Sequence, residues 1–174
     1  MSRISLKYFV ALILGLFFIV GCSQKYQVSK PTEMMTESVF LKKAESKATP
    51  FGKKILQKAR EMSIEKGVII RGSCWDYINA VYNRAGFTQK RRKIVFKGKK
   101  RGPFVNIKLI ERGDWIYHIN YSYAKVEHSG IFVDWVDRER KLALMLSYAG
   151  ERRKTPARYK VYDLSGVYYI TRAN

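Results

Sequence analysis

Apolar residues in this chain recur at two different spacings, and the change from one to the other divides it into two halves. Between residues 49 and 86 they fall three and four apart. Phe51, Ile55, Ala59 and Met62 form one stripe, and Trp75, Ile78, Val81, Tyr82 and Ala85 form another, which is the pattern of helices laid against a core. Thr49-Pro50 supplies a cap and a first-turn proline for the first helix, and Gly67 marks its stop. Ser73 precedes the second stripe and Asp76 follows three residues later, so Ser73 caps free amides while Asp76 reaches back; Gly86 ends that helix. An earlier helix is expected over residues 36–47.

From residue 114 the helical spacing gives way to runs of β-branched and aromatic residues. Residues 114–121, 128–136, 141–149 and 166–171 read as strands, antiparallel to one another. Asp137-Arg138-Glu139-Arg140 joins the second to the third as a hairpin. Leu142 through Leu146 are apolar without alternation, as in a strand covered on both faces. Residues 88–105 are basic and contain Gly98, Gly102 and Pro103, so they read as a loop or edge hairpin placed to overhang a cleft. Helices first and strands afterwards imply an α+β domain with N-terminal helices packed on a mainly antiparallel sheet.

The first 22 residues follow another logic. Arg3 and Lys7 precede an uncharged apolar run from Tyr8 to Val20, shorter than the ~20 residues a bilayer span needs, and the run ends at Gly21-Cys22. Ile19-Val20-Gly21-Cys22 resembles a bacterial lipobox, which implies cleavage before Cys22 and acylation of its thiol and amine, palmitate included. The alternative is an ordinary signal peptide or anchor helix. The expected organisation is a lipoprotein signal peptide over 1–21, a lipid-anchored tether over 22–35 and one domain over 36–174. The implied location is the cell envelope. Ser23 after the lipidated cysteine is compatible with the outer membrane, facing the periplasm, in a diderm bacterium.

Charge narrows the partners. The chain carries +20, and residues 1–21 hold two cations and no acid, so the mature chain keeps +18. Lys90-Arg91-Arg92-Lys93 and the residues from Lys97 to Arg101 form one dense cluster that attracts polyanions. Outside the cytoplasm these are peptidoglycan, other anionic envelope polymers and lipid headgroups at the membrane. No nucleic acid is expected, because no reader motif accompanies the charge. A solvated basic loop is the alternative reading. A hydrophobic content of 47% with 14% aromatics argues against disorder.

The chain has two cysteines. If Cys22 is acylated, Cys74 is a free thiol in an exported protein, where thiols are usually paired or missing. Cys74 is the first residue of its helix, where unpaired N–H groups and the positive dipole end favour a thiolate. A small buried hydrophobe is the alternative role for Cys74. Of the two histidines, His128 opens a strand beside Gly130, which leaves room for a substrate or the opposing helix; His118 lies in an aromatic strand and reads as structural. Trp75 either lines a groove or packs under the sheet. The histidines are too few and the thiols too isolated for a metal site, and no cofactor is expected.

Three segments, taken in order, resemble the NlpC-type cell-wall cysteine peptidases and amidases. The helix from Ser73-Cys74-Trp75-Asp76 to Tyr82-Asn83-Arg84-Ala85-Gly86 resembles the family's nucleophile helix, which closes on a tyrosine, an arginine and a glycine. Glu111-Arg112-Gly113-Asp114 resembles its proline-glycine-aspartate strand start, and His128-Ser129-Gly130-Ile131-Phe132 its histidine strand. The resemblance covers residues 72–132 and implies a papain-like fold that cleaves peptide or amide bonds in peptidoglycan stems. It implies Cys74 as nucleophile and His128 as its base. The family's aspartate-cysteine-serine-glycine is replaced by Ser73-Cys74-Trp75-Asp76, which points to a divergent branch. The position of the third, orienting residue falls at Ser147, which accepts a proton but carries no charge. Two other readings remain open: a lipid-directed thiol hydrolase or acyltransferase on the same fold, and a non-catalytic wall-binding lipoprotein that uses its basic face.

Overall fold

The computed structural model describes residues 30–174, an α+β arrangement of helices against one six-stranded antiparallel sheet. The expected signal peptide, Cys22 and the first part of the expected tether lie outside the described residues. Helix α1 spans Lys30–Lys47, beginning six residues before the helix expected from the sequence. Helix α2 spans Pro50–Arg60 and runs into a single π-helical turn over Glu61–Glu65. Thr49 caps α2 as the sequence indicates, its side chain accepting from the Gly52 N–H at 3.2 Å. No helix among the described residues is long and apolar enough to cross a membrane.

Helix α3 spans Cys74–Arg84. Asp76 reaches back to the Ser73 N–H at 2.7 Å, and the Ser73 hydroxyl donates to the same carboxylate oxygen at 2.9 Å. At the other end Gly86 sits at φ +90°, the Gly86 N–H meets the Asn83 carbonyl, and the Phe87 N–H meets the Tyr82 carbonyl. This double closure of the last turn needs a left-handed residue, which glycine adopts without strain.

The strands are β1 (Arg92–Lys97), β2 (Trp115–Asn120), β3 (Val126–Asp137), β4 (Leu142–Ser147), β5 (Arg158–Asp163) and β6 (Val167–Ala173), in spatial order β1-β6-β2-β3-β4-β5. The four strands read from sequence are β2, β3, β4 and β6. The segment read as a loop or edge hairpin contains β1, an edge strand on β6, while β5 had no sequence counterpart and forms the other edge. Edge strands bury one face at most, so runs such as Arg158-Tyr159-Lys160-Val161-Tyr162-Asp163 carry little apolar signal.

Two cores lie on opposite faces of the sheet. On the helix side Ile55, Ala59, Ile78, Val81 and Tyr82 pack on Trp115, Ile131, Val133 and Leu146. On the other side Ile116, Phe132, Ala143, Met145, Val167 and Ile170 form a second cluster under the loop residues Val105 and Ile110. Strand β4 contributes to both, which accounts for its unbroken apolar run.

Candidate functional site

Two hydrogen bonds set the approach to Cys74. The Tyr148 hydroxyl donates to the Ile70 carbonyl at 2.8 Å, and the Glu151 N–H donates to the Gly72 carbonyl at 3.0 Å. Gly72 stands at φ +109°, and a Cβ there would lie 2.3 Å from the Asp76 carboxylate that holds the helix start. Only glycine serves both the backbone turn and the close approach. The result is a cysteine fixed at the first position of α3, with α3 packed on β3.

Cys74 is half-buried and is a free thiol. The Ser129 hydroxyl donates to its Sγ at 3.5 Å. Burial pushes the thiol's pKa up, but hydrogen bonding to His128 and Ser129, reinforced by the charge of His128, outweighs it and brings the value down to about 7. The helix start acts in the same direction. At neutral pH a substantial fraction of Cys74 is therefore the nucleophilic thiolate.

His128 and Ser129 are consecutive on β3, so their side chains leave opposite faces of the strand. Ser129 is buried against Cys74, beside Tyr117, its partner across β2. His128 and Cys74 both line a cleft of about 810 Å³, together with Ser73, Tyr148, Arg158 and Tyr162. His128 pairs directly with His118 across β2 and β3, ring centroids 5.8 Å apart, and Tyr162 of β5 stands 5.4 Å from each imidazole. His118 is fully buried, and burial together with the charge of His128 depresses its pKa to about 4. It is neutral at physiological pH.

Ser147 occupies the β4 position opposite Gly130, and its Oγ is hydrogen-bonded to the Tyr162 hydroxyl at 2.8 Å. It does not hydrogen-bond His128, whose Nε2 is buried without a partner among the described residues. The ring is held by packing against His118 and Tyr162 instead. The space beside Gly130 is likewise used differently from the expectation. A Cβ there would meet the Met145 side chain at 2.5 Å and the Leu146 carbonyl at 2.7 Å, so β4 fills it, neither substrate nor helix.

The sequence reading passed over Ser129 and Tyr162. A small residue after the histidine carries no pattern of its own, and Tyr162 belongs to the unread edge strand. Trp75 is 47% exposed and lines a second groove of about 450 Å³ with Asn79, Arg92, Trp115 and Tyr169, so it borders a groove while its ring packs at a tilt against Trp115. The basic loop approaches the site through an ion pair between Lys100 and Glu127, the residue before His128. Asp114 is buried and clamped by Arg172 at 2.7 and 2.8 Å, which gives that strand start a structural role. Among the described residues no group of His, Cys, Asp and Glu side chains is placed to hold a metal ion. Compared with models of protein families, with curated proteins and with solved structures, the chain matches none of them.

Proposed function

We propose that this chain is a lipid-anchored cysteine hydrolase of the cell envelope, with a divergent papain-like, NlpC-type domain that cleaves peptide or amide bonds in peptidoglycan stems. The observation that carries the reading is the placement of Cys74. It is the first residue of a helix, bonded by Ser129, and shares one cleft with the imidazole of the neighbouring residue His128. A buried structural cysteine requires none of this. In the reaction the Cys74 thiolate attacks the amide carbonyl, forming an S–C bond, and the oxyanion is met by backbone amides at the start of α3. The C–N bond then breaks as His128 gives its proton to the departing amine. Water, with His128 as base, hydrolyses the thioester and restores the thiol.

The second reading, a wall-binding lipoprotein without chemistry, is favoured by one observation: among the described residues no side chain hydrogen-bonds His128 Nε2. Mass spectrometry of purified peptidoglycan fragments incubated with the protein, its Cys74→Ala variant and its His128→Ala variant separates the two. Cleavage by the native chain alone supports the hydrolase, and the product masses name the bond. Absence of cleavage across several stem chemistries, with sedimentation on the wall retained, supports the binding reading.

A further inference from the structure

The cleft that holds Cys74 and His128 is lined by charged groups of one sign. Arg153, Arg158 and Lys160 line it, and no aspartate or glutamate does. Arg158 and Lys160 are two apart on β5 and so share a face of that edge strand, while Arg153 ends the short turn Glu151–Arg153 that precedes it. None of the three forms an ion pair among the described residues.

The nearby carboxylates are engaged or lie elsewhere. Asp76 is held by Ser73 and, with Glu151, lines a separate recess beside Gly72. Glu127 is bound by Lys100 and Tyr168. The rest of the lining includes Tyr148, Val161 and Tyr162, and walls of this kind concentrate the field of the cations in the cleft. The helix start adds partial positive charge on the same side.

We propose that this cleft selects substrates bearing a carboxylate close to the amide that Cys74 attacks, with Arg153, Arg158 and Lys160 as the recognising groups. This rests on the thiol-hydrolase reading above and names its substrate class. The two guanidinium groups offer the planar fork that matches a carboxylate, and Lys160 adds a mobile point charge. A neutral stem or a free amine gains nothing from this wall, whereas an acidic side chain or a free chain end does.

Two alkylating agents of nearly the same shape test it on the full-length protein. Iodoacetate and iodoacetamide both form an S–C bond with the thiolate and release iodide, and they differ in presenting a carboxylate or a neutral amide. Rates are read at pH 7 on the tryptic peptide Gly72–Arg84, which isolates Cys74 from Cys22. The ratio of the iodoacetate rate to the iodoacetamide rate is divided by that of N-acetylcysteine.

The expected ratio is about tenfold above the free thiol's, in line with electrostatic focusing at low salt. It falls at least about threefold in the combined Arg153→Gln, Arg158→Gln, Lys160→Gln variant, with Arg158→Gln alone as the milder form. The combined Lys42→Gln, Lys43→Gln, Lys53→Gln variant removes the same charge from exposed positions outside the cleft and leaves the ratio in place. A ratio equal to the free thiol's, or an equal fall in both triple variants, overturns the proposal. The hydrolase reading fails separately, if Cys74 reacts with iodoacetamide only at the ordinary thiol midpoint of ~8.5.

Discussion

Two buried polar sites occupy the central strands of one sheet and are built in opposite ways. At Asp114, which opens into β2, both carboxylate oxygens are engaged: Oδ1 by Arg172 Nε, Oδ2 by Arg172 Nη2 and the Glu111 N–H. Four residues along the same strand, His118 is equally buried with neither ring nitrogen hydrogen-bonded among the described residues, and the Nε2 of its neighbour His128 likewise has no partner there. A fully paired buried group specifies a fold, because removing one member strands the other. An unpaired one lowers stability and calls for an explanation, which the proposed function supplies as an imidazole free to carry a proton beside a thiol. The first site is built for stability, and under the proposed function the second is the one that carries chemistry.

The sharpest way to break this comparison is to exchange the effects. His128→Gln is expected to lower hydrolysis by about 100-fold to 10,000-fold, the range for losing a positioned acid–base group, with little change in urea midpoint. Asp114→Ala is expected to do the reverse. It removes the two hydrogen bonds that Asp114 accepts from Arg172, which keeps Glu111 and the Leu109 carbonyl as partners, and costs roughly 1.5–3 kcal/mol, while the folded fraction keeps a reactive Cys74. Equilibrium unfolding with Cys74 alkylation on the same samples measures both. An Asp114→Ala protein that is stable but unreactive would erase the distinction.

Acid sharpens it next. His118 titrates near 4 in the folded chain against about 6.5 when unfolded, so below pH 6.5 the unfolded chain binds a proton that the folded one refuses. The sign follows: stability is complete above about 6.5 and falls as pH drops toward 4, by roughly 3 kcal/mol from this residue alone. His118→Phe keeps a ring in the core and removes the titration. The difference in unfolding free energy between pH 7 and pH 4 is expected to be smaller in the variant by that amount. An identical acid loss in both proteins assigns the titration elsewhere.

These sites were unequally legible. Cys74 and His128 stand out because a capped helix start and a strand start are local patterns, and Thr49-Pro50, Ser73, Asp76 and Gly86 act within a few residues of where they sit. The His118–His128 pairing is a matter of register across the turn after Asn120, which no spacing in the chain reveals. Tyr162 and two of the three cations of the cleft, Arg158 and Lys160, lie on β5, where exposure on an edge replaces apolar residues with arginine and lysine. Asp114 reads as part of a motif, yet its partner Arg172 is 58 residues away. Ser129 is silent for a different reason, since its role comes from the helix above it.

Ser129 gives the next, smaller effect. Its hydrogen bond to the thiol at 3.5 Å is one of the interactions that hold the Cys74 pKa near 7, and a single such bond is worth about 1 kcal/mol. Ser129→Ala is therefore expected to raise the alkylation midpoint and reduce the thiolate at pH 7 by roughly threefold. Ser129→Thr, which keeps the hydroxyl, is expected to restore it. A midpoint unmoved by Ser129→Ala leaves His128 and the helix start to account for the whole shift.

The smallest effect belongs to the serine that the sequence resemblance offers as the third, orienting residue. Ser147 stands where an orienting group would be, but its hydroxyl bonds Tyr162 and leaves His128 Nε2 as it is. Ser147→Ala removes one partly buried hydrogen bond and is expected to cost about 1 kcal/mol of stability, with hydrolysis changed by less than about threefold. Tyr162→Phe breaks the same bond from the other side and keeps the ring that packs on the imidazole, so it is expected to match Ser147→Ala in both measurements. Tyr162→Ala removes the packing as well and is expected to lower the rate further than either. If Ser147→Ala alone costs a hundredfold in rate while Tyr162→Phe does not, the serine turns to the imidazole during the reaction. The unpaired nitrogen is then a resting arrangement, and the contrast with Asp114 narrows to His118.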